Sequence, residues 1–338
     1  MSAEEAAERP RRAARPRLGW LASNEAGLAL VTALFAAFFW TATAGFSSPF
    51  NLYALTRVLA IDAVIGLSMM VVLVTGGLNL AVGAIGVAAA MVGGWLMQGL
   101  GLPVPLAALG ALAAGALLGL ANGAGVIVLR VHSFVVTLAS MSIVFGAMIL
   151  LTQAQAYNAL PAGFVDLART RYAGFVSGLL AVTLAAGLAL AWLFHHTALG
   201  REILAAGANE RAARLSGVPV ARTILVCHAL SGGLAALAGL MLTARNGAAL
   251  PSMAGQLGMD WLLPAFLAPV LGGTLLTGGA VSVTGTILGA TLVTVLTNGL
   301  LQLQVGEFWV QAVLGVILLL AVGLDRLRAH LVARRRAL

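Results

Sequence analysis

The sequence predicts an all-α fold, a polytopic transmembrane helical bundle of about ten spans with both termini cytoplasmic. Composition is the first reason. Hydrophobic residues make up 61% of the 338 and charged residues 9%, with a mean hydropathy of +1.01, whereas soluble domains carry roughly 25% charged residues. Hydropathy breaks are the second. They leave segments near the ~20 apolar residues that a spanning helix needs, at 26 to 46, 57 to 76, 79 to 98, 104 to 128, 133 to 152, 174 to 194, 223 to 243, 261 to 276, 280 to 300 and 308 to 324. Charge placement is the third. All 19 basic residues are arginine. Ten spans from an internal N-terminus leave only Arg57, Arg169, Arg171 and Arg245 outside. The other fifteen, including Arg130, Arg201, Arg211, Arg214 and Arg222, fall inside, which is the positive-inside pattern. Orientation thus accounts for the net charge of +8, and no nucleic-acid partner is expected.

Residues 1 to 18, rich in Arg, Ala and Pro, read as a flexible cytoplasmic tail leading into a start-transfer helix rather than a cleavable signal. The transmembrane domain occupies 19 to 328, and 329 to 338 form a basic cytoplasmic C-terminal tail. In the second span Asp62 is a carboxylate within an apolar run, a functional candidate by its cost in lipid. It is also within reach of local pairing with Arg57, little more than one turn away. The uncharged turn Thr75, Gly76, Gly77, Leu78, Asn79 follows. Glycine-rich backbone at membrane depth needs protein or water around it, so this turn is read as facing the bundle interior, with a tight turn at the cytoplasmic surface as the other reading.

Gly115, Gly119 and Gly123 recur every four residues, as do Gly285 and Gly289; small residues at that spacing let helices approach closely. Pro264 and Pro269 should kink or break the span that holds them. Cys227 is the only cysteine, which excludes an internal disulfide and a paired-thiolate metal site. Its neighbour His228 points about 100° away on a helix, so no catalytic pair is expected from them.

The one long charged interior stretch is residues 195 to 222. Within it Asn209 can cap a helix of about two turns, with Glu210 in its first turn, and Gly217 ends it before Pro219. A helix this short is marginal alone in water. It needs either its own membrane domain or a separate cytoplasmic protein to pack against, and the second reading is preferred.

Here the chain resembles a known family, the inner-membrane permease subunits of bacterial ATP-binding-cassette (ABC) importers, in particular ribose-type sugar permeases, which group with branched-chain amino-acid permeases. GREILAAGANERAARLSGVPVART is similar to the family's coupling region, with its Gly-Arg start and Gly-x-Asn-x-x-Ala-Ala-x-x-x-Gly. VTGGLNLAVGAIG resembles a Gly-Gly-Ile-Asp-Leu-Ser-Val-Gly segment. LGGTLLTGGAVSVTGTILGA resembles a Gly-Gly-Thr-Ser-Leu-x-Gly-Gly segment, and HSFVVTLASMSIVFGAMILLT a span that usually opens Pro-Phe-Ile-Val-Thr-Leu. The four matches run in order over roughly residues 55 to 328. Three positions depart: Asn79 and Ala81 replace the usual Asp and Ser, and Ala280 stands where Arg is common. Asn keeps the hydrogen-bonding shape of Asp without its charge.

The resemblance implies a permease that carries a small polar solute, a monosaccharide being favoured, into the cytoplasm across the bacterial inner (plasma) membrane. It implies a second permease, identical or paralogous, a periplasmic solute-binding protein, two cytoplasmic ABC ATPase subunits and surrounding lipid. No cofactor is expected in this chain. ATP and Mg belong to the ATPase partner, since a chain without lysine cannot build the phosphate-binding loop of an ATPase. Expected ATPase-coupling residues are Arg201, Glu202, Asn209, Glu210, Arg211, Ala213, Arg214, Leu215 and Gly217. Expected pathway residues are Asn79, Asn122, Thr137, Ser140, Gln153 and Asn298, polar groups that could equally bond helix to helix. The scarcity of deep charges favours a neutral solute. Three rivals remain: a secondary active transporter, a passive channel and, last, an intramembrane enzyme, for which His132, His195, His196, His228 and Cys227 show no catalytic spacing.

Overall fold

A computed structural model describes residues 24 to 336, and side chains up to residue 323 with the exception of 257. The expected tails at 1 to 18 and, in its side chains, 329 to 338 lie outside the described residues. Among the described residues, eight helices are long and apolar enough to cross a membrane. These are α1 (Asn24–Ala42), α2 (Pro49–Leu73), α3 (Val82–Gly94, prolonged by a π-helical turn Trp95–Gly99), α4 (Val104–Leu129), α5 (Ser133–Thr152), α7 (Leu179–His196), α10 (Val220–Asn246) and α12 (Val283–Gln302). The segments expected at 261 to 276 and 308 to 324 correspond to two shorter apolar helices, Gly258–Leu271 and Glu307–Gly323. The first consists of a 3-10 turn (Gln256–Trp261) and α11 (Leu262–Leu271). The second begins α13 (Glu307–Arg336), whose backbone stays helical through Arg336. Between spans lie α6 (Ala162–Arg169), a two-residue hairpin β1 (Arg171–Tyr172) and β2 (Val176–Ser177), α8 (Ala198–Ala208) and α9 (Glu210–Leu215).

Helix starts differ from the hydropathy reading where capping chemistry decides them. α2 begins at Pro49, well before residue 57, because Ser48 accepts a hydrogen bond from the Asn51 N–H (3.2 Å) and proline suits the first turn. Its centre is the middle of the molecule, with Ala60 to Val74 almost wholly buried. α2 packs against α10, α11, α12 and α7, while α3 fills the space between α10, α4 and α5.

The glycine stripe of α4 packs on α10. A Cβ at Gly115 would meet Ala236 Cβ at 2.5 Å, and one at Gly119 would overlap the His228 carbonyl. Gly285 and Gly289 likewise sit against the backbone of Gly272 and Ala268. The partners run antiparallel, since α4 positions 115, 119 and 123 meet α10 at 232, 228 and 225. Replacing Gly119 by leucine should therefore part α4 from α10 and lower the thermal midpoint in detergent, with overpacking costing about 1–3 kcal/mol. Gly146→Leu, where nothing lies within 4 Å, is the control that should melt near the unsubstituted protein.

The antiparallel order sorts the arginines by end. Arg130 follows α4 at the end where α10 begins, beside α8 and α9. At the opposite end Arg57 donates to the Arg245 carbonyl (2.9 Å), and Arg171 lies over the Tyr53 ring at 4.2 Å.

Candidate functional site: a coupling protrusion and a broken mid-membrane layer

Both halves of the 195 to 222 stretch are helical. Asn209 Oδ1 accepts from the Ala212 N–H (2.9 Å), Gly217 adopts φ +81°, and Glu210 pairs with Arg214 at 2.6 Å, so α9 has the caps its sequence predicts. The sequence reading missed α8. Its start signal is Thr197, whose hydroxyl accepts from the Gly200 N–H (3.0 Å). α8 is anchored by Ile203, wholly buried among Leu67, Met70, Val71, Phe194, Cys227 and Val283. α9 rests on the bundle through Ala213, which is 5% exposed and packs with Ala206 and Val220.

The remaining coupling candidates divide by face. Arg201, Asn209, Glu210, Arg211, Arg214 and Gly217 are exposed, and Glu202 is half-buried. Leu215 stands 84% exposed on the outer face of α9. An apolar side chain so presented between guanidinium groups suits a protein interface, where an apolar anchor is ringed by polar groups.

α8 meets the bundle at a junction of three backbones. Gly207 faces the Val74 carbonyl so closely that a Cβ there would overlap it, and would lie 2.7 Å from the Gly279 nitrogen. The Gly279 N–H donates to the same Val74 carbonyl (2.8 Å). Gly278 and Gly279 have φ of +85° and +81°, a conformation glycine adopts without steric cost. The VTGG, GAN and LTGG segments, remote in sequence, therefore close on one point.

Beyond the turn at Thr75, the chain does not restart a helix at the surface. It runs back without helix from 77 to 79, turns at Leu80 and Ala81, and begins α3 only at Val82. Protein groups replace the missing helical bonds. Ser133 Oγ accepts from the Leu78 N–H (2.7 Å), and Thr137 Oγ1 accepts from the Leu80 N–H (3.1 Å). Asn79 is fully buried. It donates to Ser231 Oγ (2.9 Å) on α10, which also lies 3.0 Å from Ser68 Oγ on α2, and its own Oδ1 accepts from the Ala81 N–H. The interior placement read for Asn79 is the observed one, while Thr75 to Leu78 are half-buried against the junction. Ser68 and Ser231 escaped the sequence reading because small hydroxyls in apolar spans carry no periodic signal.

The other polar candidates are dispersed. Asn122 is buried on α4, and among the described residues its Nδ2 has no partner. Ser140 is half-buried on α5, and Gln153 is an exposed αL cap (φ 50°) at the end of α5. Asn298 exchanges two 3.0 Å bonds with Asn51, to which Gln302 also donates. Asp62 accepts from Thr294 Oγ1 (3.3 Å), and among the described residues it forms no ion pair with Arg57.

A second break mirrors the first. After α10 ends, residues 247 to 261 return inward without regular helix, and α11 covers only ten residues, with Pro269 within it. Gly258 lies against the backbone of Gly83 and Ala84, and the Trp261 ring fills the space beside Gly86. The prolines thus mark a half-helix rather than a bent full span. Two interrupted segments meeting inside a bundle are the arrangement in which transporters place solute sites. Below them, toward α8, a cavity of about 320 Å³ is lined by Gly76, Leu78, His132, Phe266, Val270, Leu276, Leu318 and Val322.

With that geometry, the comparisons agree. Residues 51–322 match the family described as branched-chain amino acid transport system / permease component, and the chain belongs to it. The ribose import permease protein RbsC of Bacillus subtilis (strain 168) is 36% identical over 285 residues, covering 83% of this chain and 86% of that one. The xylose transport system permease protein XylH of Escherichia coli (strain K12) is 33% identical, covering 88% and 90%. The autoinducer 2 import system permease protein LsrC of Salmonella choleraesuis (strain SC-B67) is 35% identical, covering 77% and 74%. No solved structure matches at the same significance. The chain is a multi-pass inner-membrane permease.

Proposed function

We propose that this chain is the transmembrane permease subunit of an ABC importer that carries a monosaccharide or similarly small polar solute into the cytoplasm. The observation that carries the reading is the permease family match over 51–322 together with the capped α8–α9 protrusion that closes on Val74 and Gly279. The chain itself does not hydrolyse ATP. Two permeases pair, a periplasmic binding protein delivers solute, and two cytoplasmic ATPase subunits dock on α9 and supply the free energy.

In this mechanism the ATPase pair moves α8 and α9 together, because Ile203 and Ala213 tie both helices to the bundle. α8 then pushes on Val74 and on the 278–279 turn. The first leads through the Thr75 turn into the non-helical 77–81 segment, and the second joins α11 to α12. Both mid-membrane breaks therefore feel one displacement. Asn79, Thr137 and Ser231 hold this non-helical segment through bonds that can exchange, which lets it shift without exposing bare backbone to hydrocarbon.

The test is affinity purification in mild detergent followed by reconstitution in liposomes with the co-purifying ATPase and the matching binding protein. Uptake of ribose, xylose or a related sugar should require ATP and survive an uncoupler. Concentrative uptake by the chain alone, driven by a proton or sodium gradient, overturns the reading.

A further inference from the structure

The turn Gln256–Trp261 combines depth with exposure. Ala235 lies within 2.8 Å of the Gly86 Cβ position that the Trp261 ring also approaches. Counted from Val220 at 1.5 Å per residue, Ala235 is about 23 Å along a helix of about 40 Å. The 3-10 turn is thus near the middle of the bundle. Yet Gln256, Met259 and Asp260 are exposed there, Met259 at 52%. Asp260 stands beside Gly255, and among the described residues no arginine or histidine pairs with its carboxylate. An unpaired, exposed carboxylate facing hydrocarbon is among the costliest placements in a membrane protein. Irregular backbone at that depth is tolerated where protein buries it or where it lines water, and this chain leaves these side chains uncovered. Asp260 and its neighbours therefore face an aqueous path, above the apolar cavity lined by Leu78, Phe266, Val270 and Leu318.

The geometry points to Asp260 and Gln256 as a mid-membrane solute station, where the Asp260 carboxylate accepts hydrogen bonds from the hydroxyls of a neutral polyhydroxylated solute and the Gln256 amide meets a further hydroxyl. The assignment rests on the importer reading above and adds to it the place and chemistry of solute contact. A carboxylate offers two acceptor oxygens to vicinal hydroxyls, and an amide both donates and accepts. The cavity beneath is lined mostly by apolar side chains, with His132 its one polar side chain, so solute leaving the station toward α8 meets few hydrogen-bonding groups.

The experiment uses the assembled importer on a Cys227→Ala background, which removes the single buried thiol. Met259→Cys and Asp260→Cys variants are treated with a membrane-impermeant charged thiosulfonate. Leu188→Cys, equally mid-helix and 71% exposed on α7, serves as the lipid-facing comparison. The Met259 and Asp260 variants should label at least about tenfold faster, since a charged reagent does not enter hydrocarbon. Labelling no faster than at position 188 overturns the proposal whatever the cargo.

A second arm follows uptake of radiolabelled ribose and xylose. Asp260→Leu should lose at least about tenfold in rate with ATPase association intact, and Asp260→Asn, which keeps hydrogen-bonding atoms, should retain on the order of a third. Unchanged uptake in Asp260→Leu overturns the proposal, as does a loss in Asp260→Asn as complete as in Asp260→Leu. An unsubstituted importer that needs no ATPase fails the importer reading instead, and the labelling arm still decides whether position 260 is wet.

Discussion

Gly207→Val is expected to cut concentrative uptake to below about a tenth, with insertion and ATPase binding retained. The side chain at 207 has no room. A Cβ alone would overlap the Val74 carbonyl and lie 2.7 Å from the Gly279 nitrogen, so α8 must retreat and the Gly279 to Val74 hydrogen bond (2.8 Å) opens. Overpacking of this kind costs about 1–3 kcal/mol. That disturbance is concentrated where α8 meets the two segments leading to the mid-membrane breaks. The measurement is uptake and ATP hydrolysis side by side in proteoliposomes. Hydrolysis should continue while uptake falls, and Gly207→Ala should show a graded version of the same split. Gly163→Ala on α6, where a Cβ meets nothing within 4 Å, should leave both rates unchanged. Full uptake by Gly207→Val would show that α8 transmits no displacement through Val74.

Leu215→Asp should weaken association with the ATPase by about thirty-fold or more, the equivalent of about 2 kcal/mol for an interface anchor. Leu215 is 84% exposed and touches no core cluster, so its loss should leave the thermal midpoint of the permease unchanged. Ala213→Glu acts differently. Ala213 is the buried contact of α9 with Ala206 and Val220, so a bulky acid there should lift α9 from the bundle and uncouple transport while sparing insertion. Co-purification in mild detergent separates the two. Leu215→Asp loses the ATPase, whereas Ala213→Glu retains part of it but transports poorly. Equal recovery of ATPase with Leu215→Asp and the unsubstituted chain would remove α9 from the interface.

Legibility in the sequence followed the range of the interactions. α9 could be read residue by residue, because Asn209, Glu210 and Gly217 act within one or two turns of themselves. The stripe at Gly115, Gly119 and Gly123 announced a close helix contact, though only the fold shows that α10 fills it. α8 carries apolar positions at Leu199, Ile203, Leu204 and Ala206 behind its Thr197 cap, but its place between two charged runs drew the reading to the Asn209 cap instead. Asp260 was hidden by its position just ahead of an apolar, proline-containing run, where hydropathy places a span boundary. The interruption places it near mid-bundle instead.

The sequence by itself determined that this chain fills a membrane with helices, which of its arginines share an end, and that a capped polar helix interrupts the apolar run. Those properties are sums over neighbouring residues, fixed by transfer energy, backbone capping and charge. Tertiary structure alone decided that α3 and α11 begin inside the bundle and that Val74, Gly207 and Gly279 share one point. It also decided that Asp260 is exposed near mid-bundle. Each of these depends on what a distant segment offers: a hydroxyl from Ser133 or Thr137 to satisfy non-helical backbone, one from Ser231 to hold Asn79, or the absence of a Cβ to let two segments touch. No local pattern encodes such a partner.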